Sequence, residues 1–380
     1  MPVEKPSLDL LRSITDEHVL RALMEHGRLT RADIAARTGI SKPTIYDSVR
    51  RLAEAGVLAD TGERTTGRGR VGFYYSLAPD TGAALVASIS PRGLVAEAVN
   101  AFGELVAREE TVLGRSASQE EVAQALARAA GTLRAHIPGG LRIAVISAAD
   151  PVDRGTGRLV QLPDAPFLVG DLHPVAILEP LIAGQVLVDN DVNWAARAER
   201  GSGCAVGIDD FVYVHLGEGL GCAVVNDGRV RRGHRGLAGE IAHLHTAGPD
   251  GTAMPLTEVF ATLGLRRQES TAIDVEALRA VTSGADEAAA RTRTILARAV
   301  CGVLAAAVAL ADPQLVVIGG TWGADPAMIE TIREQFARSP RHVPIATALV
   351  QAPELAGARA RAADELRSAI ITTARSGHAR

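Results

Sequence analysis

Residues 30–49, TRADIAARTGISKPTIYDSV, leave this chain little freedom, because they encode two short helices separated by one reversal. Thr30 and Asp33 have the spacing of a capping box, in which a hydroxyl and a carboxylate satisfy free backbone N–H groups at a helix start. Ser41 is a second N-cap, and Pro43 in the following first turn removes no helical hydrogen bond. Gly39 sits where the backbone must turn back, a position that suits a residue without a side chain. Ala35, Gly39 and Ile45 are spaced four and ten residues from the first, giving a small residue at the helix crossing, a permissive turn and an apolar anchor. The pattern predicts a helix-turn-helix; an αα-hairpin inside an ordinary helical domain is the other arrangement it allows.

The flanks extend the unit. Ile45, Val49 and Leu52 keep an apolar stripe until Gly56, and Val19, Leu20, Leu23 and Met24 line one face of a preceding helix that ends at Gly27. Val57-Leu58 starts a short strand, Thr61–Arg70 is a Gly/Arg/Thr loop, and Val71–Leu77 is a second strand, so residues 1–80 read as a winged helix-turn-helix. Between Arg28 and Arg70 nine basic residues face five acidic ones, in a chain whose total charge is −4. Positive charge is therefore concentrated where phosphates would be met. Ser41, Lys42, Thr44, Tyr46 and Asp47 are the expected groove contacts, with Arg50 and Arg51 on phosphates or in solvent. Lys42 is one of only two lysines, the other being Lys5. Arg68-Gly69-Arg70 in the wing resembles the core of a minor-groove hook, and a solvated loop is the alternative.

A chain of 380 residues is too long for this unit alone and leaves room for a larger body over 81–380. The polar N-terminus shows no signal peptide, and the longest apolar run, Ala299–Ala311, is shorter than a membrane span, so a cytoplasmic protein is expected. Cys204, Cys222 and Cys301 form neither a disulfide framework nor a metal pair. In the body, Ala84–Ser90 and Gly93–Val99 are paired strands around Ser90-Pro91-Arg92, and Leu141–Ser147 and Gln185–Val188 are further strands. Phe211–His215 enters a tight glycine turn at Gly217–Gly221, Cys222–Val225 returns, and an alanine-rich helix over about Asp286–Ala311 delivers Leu315–Ile318. Strands alternating with helices, twice over, predict a two-lobed α/β body with a cleft.

The order of these landmarks resembles the ROK family of repressors and sugar kinases, built on the two-lobed actin-like ATPase fold. The resemblance rests on the winged helix at 30–77, VDNDVNWAARAE at 188–199, GEGLGCAVVNDGRV at 217–230, GLAGEIAH at 236–243 and DPQLVVIGG at 312–320. In that family a fused N-terminal winged helix marks transcription factors. The resemblance implies that Asn190 and Asp191 hydrogen-bond sugar hydroxyls, Asp191 matching the kinases' general base, and that Glu240 and His243 match the Glu and His of a Gly-Glu-x-Gly-His segment. Taken without the resemblance, Glu240 and His243 would be an i, i+3 pair on a solvated helix. Glu258 matches a third acidic contact, or else is an exposed glutamate at a helix start after Pro255.

Several departures separate this chain from the family's kinases. The zinc-binding cysteine run is replaced by HTAGPDGTAMPLTE, so no structural metal is expected. The phosphate-binding Asp-x-Gly-Gly-Thr is replaced by Ser88–Arg92, with Pro91 deleting a backbone donor, and Glu218 stands in the second phosphate loop where a carboxylate would repel polyphosphate. The family's Pro-Gly-Pro-Val-Asp becomes Ala149-Asp150-Pro151-Val152-Asp153, and Asp164 stands for an asparagine, so that an added carboxylate would suit an amino sugar unless it is a surface turn residue. The expectation is a repressor of carbohydrate genes without enzymatic activity or cofactor. It would bind a pseudo-palindromic operator as a homodimer or homotetramer and be released by a sugar, amino sugar or oligosaccharide. The alternative is an ATP-dependent sugar kinase that also binds DNA.

Overall fold

The computed structural model describes residues 8–66, 71–115, 117–162, 170–268 and 270–376. At the N-terminal end, α1 (Leu8–His26) buries Val19, Leu20, Leu23 and Met24 and stops at Gly27, whose φ of 77° ends the helix. Next come β1 (Leu29–Thr30), α2 (Arg31–Thr38) and α3 (Lys42–Glu54). Thr30 Oγ1 accepts from Asp33 N at 3.2 Å and Thr30 N donates to the Asp33 carboxylate at 3.1 Å, which completes the capping box. Gly39 turns the chain with φ 70°, and Ser41 caps α3. Ile45, Val49 and Leu52 are buried against α1 and α2.

The wing departs from expectation in length. Its first strand, β2, runs Leu58–Arg64 and pairs with β3 (Phe73–Leu77), so the connecting loop is shorter than Thr61–Arg70. Only Leu58 of β2 is buried. The outer residues are polar and exposed, so neither propensity nor alternation marks them as strand; a bulge between Asp60 and Arg64, with Asp60 accepting from Gly62 N at 2.8 Å, lets them pair.

The body opens with β4 (Ala83–Ser90), β5 (Gly93–Val99), β6 (Leu105–Thr111), α4 (Gln119–His136), β7 (Leu141–Ala148), α5 (Pro174–Leu178), β8 (Val186–Asn190) and α6 (Asp191–Ser202). The second lobe contains β9 (Phe211–Leu216), β10 (Leu220–Asn226), β11 (Arg229–Val230), β12 (His245–Ala247), β13 (Ala253–Pro255), α7 (Leu256–Thr262), α8 (Val275–Thr282), α9 (Glu287–Ala311), β14 (Leu315–Gly319), α10 (Pro326–Phe336) and β15 (Ile345–Thr347); α11 (Pro353–Ser376) follows. The two five-stranded sheets have the same plan, β6-β5-β4-β7-β8 and β11-β10-β9-β14-β15. In each, three antiparallel strands are extended by two parallel ones, and both faces of the central strands are buried.

Two helices need comment. The 25 residues of α9, which include Ala299–Ala311, are long and apolar enough to cross a membrane by length and composition. Here Leu296, Val300, Val303, Leu304 and Val308 belong to the core of the second lobe. Helix α11, which has no strong sequence signature, packs on α6, β7 and β4 and reaches α1, so that Leu366, Ile370 and Ala374 share one core with Leu20, Leu23 and Ile45. Buried Glu97 on β5 holds it in place by accepting from Arg359 at 2.5 and 2.7 Å and from Arg108 at 2.5 Å. A fully buried carboxylate requires partners of this kind.

Candidate functional site

The facing edges of the two sheets enclose a cleft of about 610 Å³, a size that suits a small molecule. Asn190 ends β8 and caps α6, and Asp191 opens that helix; both line the cleft. The Asn190 amide is spent on the backbone: Oδ1 accepts from Val192 N at 3.0 Å, and Nδ2 donates to Ala148 O and Asp150 O at 3.3 Å each. Its place is thus beneath the site, tying the end of β7 to the start of α6. Asp191 accepts from Val192 N at 2.8 Å with one oxygen.

Glu240 and His243 also line the cleft, on a turn and not on a helix. The turn is set by Gly239, whose φ is 101° and where a Cβ would stand 1.8 Å from Cys222 O. Cys222 N donates to Gly239 O at 2.9 Å, locking the turn onto β10. Any side chain at 239 would therefore displace Glu240. Gly236, with φ 90°, approaches the first lobe in the same way, since a Cβ there would stand 2.0 Å from Val152 O.

Two members of this wall lie outside the sugar contacts that the resemblance implies. Asp150, on the loop after β7, is buried and lines the cleft; its place in a glycine position of the family pattern was the available signal. Glu354, at the start of α11, joins it with no motif to announce it. Burial, then the neighbouring Asp191 and Glu240, pushes the Asp150 carboxyl up to about 8. Burial, with Glu354 and Glu240 adding repulsion, raises Asp191 to about 7. Glu240 is exposed to the cleft solvent, yet the surrounding walls desolvate it enough to push it to about 7 as well. The wall therefore holds carboxyls that titrate near neutrality, the condition of groups prepared to exchange protons or meet a ligand.

Glu258 is not among the cleft residues. Helix α7 buries Leu256, Val259 and Phe260, which turns Glu258 outward to pair with Arg266 at 2.6 Å. Asp164 lies outside the described residues. The stretch expected to lack zinc ligands forms the β12–β13 hairpin, turned by Asp250 as it accepts from Thr252 N at 3.0 Å. Among the described residues, no three His, Cys, Asp or Glu side chains are placed to hold a metal.

Ser88, Pro91 and Glu218 also line the cleft. The Gly217–Gly219 turn is rigid: buried Trp322 donates from Nε1 to Gly217 O at 2.8 Å, and Ile273 N donates to Glu218 O at 2.9 Å. The Glu218 side chain does not stand bare as expected. It pairs with Arg115, which follows β6 in the first lobe, and with Arg267 at 3.4 Å in the second. An ion pair that bridges the lobes thus stands at the Gly217–Gly219 turn, in place of a bare charge.

On α3, Ser41, Lys42, Thr44, Tyr46, Asp47 and Arg50 are all exposed, on the face opposite Ile45, Val49 and Leu52. Ser41 and Thr44 share a hydroxyl hydrogen bond of 2.7 Å. The Arg31 guanidinium stacks on Tyr46 at 4.5 Å and on Tyr75 at 4.9 Å, fixing the aromatic edge of this surface. Arg50 lies 3.6 Å from Asp47 and remains exposed. Arg51 does not: it pairs at 2.7 Å with buried Asp16 of α1, which also accepts from Ser48, so Arg51 belongs to the core of the unit and not to a phosphate contact. Arg68 and Arg70 lie outside the described residues.

Residues 94–362 match the model of the ROK family, and residues 12–59 match a model described as winged helix-turn-helix DNA-binding. A xylose repressor of Caldicellulosiruptor bescii is 21% identical over 237 residues, covering 62% of this chain and 59% of the repressor. An N-acetylmannosamine kinase of Escherichia fergusonii is 28% identical over 266 residues, covering 67% of this chain and 89% of the kinase. The alignments thus span less than two thirds of the length of the repressors. A crystal structure of a ROK family transcriptional regulator, a homologue of the E. coli Mlc protein, has the same fold, with a TM-score of 0.66 at 19% identity over 96% of this chain and 99% of that one.

Proposed function

The chain belongs to the ROK family, and on that premise we propose that it is a transcriptional regulator that reads DNA with α3 and responds to a sugar in the interlobe cleft. One observation carries the reading: a winged helix and a carboxyl-lined cleft share a single chain and are joined by α11, which begins with Glu354 at the cleft and ends against α1. Asp191, Glu240 and His243 supply acceptors for hydroxyls, with Asn190 holding the wall behind them. Arg68 and Arg70 of the wing add charge toward phosphate or a narrow minor groove.

The proposed action is repression of carbohydrate genes in the cytoplasm, by a homodimer or homotetramer on a pseudo-palindromic operator. Sugar binding favours one arrangement of the lobes, α11 carries the change to α1, and the spacing of two recognition helices ceases to match the half-sites. Phosphoryl transfer is not part of the reading. Ser88 replaces the carboxylate that would organise magnesium, Pro91 lacks an N–H, and the Arg115–Glu218 pair fills the second phosphate loop.

The test is selection of bound duplexes from a random DNA library by the full chain, followed by titrations on selected and scrambled DNA. Enrichment of an inverted repeat is expected. Replacing both Lys42 and Thr44 by alanine is expected to lower affinity for the selected site by tenfold or more, with a smaller loss on scrambled DNA. Failure to enrich any sequence, or sugar-dependent ATP hydrolysis abolished by Asp191→Asn, overturns the proposal and favours the kinase.

A further inference from the structure

Asp150 has no counterpart in the sugar contacts discussed above. It is 5% exposed and lines the cleft. Among the described residues, no side chain donates a hydrogen bond to its carboxylate or forms an ion pair with it, whereas the other deeply buried carboxylates, Asp16, Glu97, Asp189 and Glu199, are all bonded. Its loop cannot swing the group away. Asn190 Nδ2 holds Asp150 O at 3.3 Å, Pro151 follows, and the next turn is fixed by Asp153 accepting from Gly155 N at 3.0 Å and Thr156 N at 2.9 Å.

A buried carboxylate without a partner is costly, and a single hydroxyl donor compensates an ionised one poorly. Asp150 also feels Asp191 and Glu240 nearby, and Glu354 repels Asp191 in turn, so that ionising these groups together would give the wall an excess of negative charge. Charge complementarity calls for a cation. A divalent metal does not meet the geometry, since among the described residues no three of these groups converge on one point. A primary ammonium does: it brings three donors and one positive charge, and it can be carried on a ring whose hydroxyls face Asp191 and Glu240.

We propose that the cleft selects a sugar bearing a free, protonated amine, with Asp150 as the residue that recognises the ammonium group. This rests on the reading of the cleft as a sugar site. It assigns Asp150 a role that a glycine at that position cannot perform, and it disfavours N-acetylated sugars, whose amide is neutral and would leave the carboxylate unpaired.

Isothermal titration of the full chain at pH 7 with glucosamine, mannosamine and galactosamine, their parent hexoses and their N-acetyl forms tests it. At least one amine is expected to bind tenfold or more tightly than both its hexose and its N-acetyl form. In Asp150→Asn and Asp150→Gly that preference is expected to fall below threefold, with the melting transition still cooperative. Tighter binding of the neutral or acetylated sugars by the parent chain, or an amine preference that survives both substitutions, overturns the role of Asp150 and leaves the sugar cleft standing. Absence of binding by all nine probes overturns both.

Discussion

Two places in the cleft use the same chemical group in opposite ways. Asp150, Asp191 and Glu240 have no cationic partner among the described residues and are raised toward neutrality, whereas Glu218, at the turn between β9 and β10, is held between Arg115 and Arg267. A paired carboxylate is already satisfied and contributes to the shape and closure of the protein. An unpaired one retains a desolvation penalty that only protonation or a ligand can relieve. The contrast supports the proposed binding wall more strongly than the presence of acidic residues does, since Glu258, also acidic, is paired and turned away.

The largest test of this contrast is Asp191→Ala. Loss of its contacts is expected to weaken sugar binding by about 10- to 100-fold, equivalent to about 1–3 kcal/mol for a charged hydrogen bond, while operator affinity measured by fluorescence anisotropy is unchanged. A normal sugar response in this variant would show that the unpaired wall is not the sensor.

A second test uses protons. Because the folded-state pKa of Asp150 is raised to about 8, the folded chain retains a proton that the unfolded chain releases near pH 4. Its destabilising effect is absent below that lower value, grows as pH rises and is complete above about 8. Asp150→Asn is therefore expected to match the unliganded parent near pH 4 and to exceed it by about 2 kcal/mol or more at pH 8 in urea denaturation. An equal difference at both pH values would mean that the carboxyl is not destabilised.

The paired carboxylate gives the smallest effect. Arg115→Ala removes one partner of Glu218, but the arginine is about half exposed, so a loss of about 1 kcal/mol or less is expected. The informative readout is shape: small-angle scattering should show a more open unliganded protein. Identical scattering from both proteins would reduce the pair to surface decoration.

What could be read from the sequence depended on whether a residue's task was local. The caps at Thr30 and Ser41 and the reversal at Gly39 are decided within a few residues, and the structure has them. The central strands were legible because burial on both faces demands unbroken apolar runs. Helix α11 was not, although Leu355, Ala358, Ala362, Leu366 and Ile370 form its buried stripe, because alanine contributes little hydrophobic contrast. The outward rotation of Glu258 and the inward pairing of Arg51 depend on which faces of α7 and α3 are buried. Asp150 and Glu354 are about 200 positions apart, and only the tertiary fold brings them to one wall.

The docking of α11 on α1 also bears on the order in which this protein can be made. Helix α1 ends at residue 26 and α11 begins at residue 353, yet their side chains complete one hydrophobic core. A nascent chain emerging from the ribosome therefore carries the reading head long before the helix that covers its inner face. Until α11 is synthesised, α1 lacks both the packing of Ile370 and Ala374 and the ion pair between Glu17 and Arg375. The reading head is thus held in its working orientation only after the sensing lobes have been completed, so a prematurely terminated chain would carry the recognition helix without the framework that aims it.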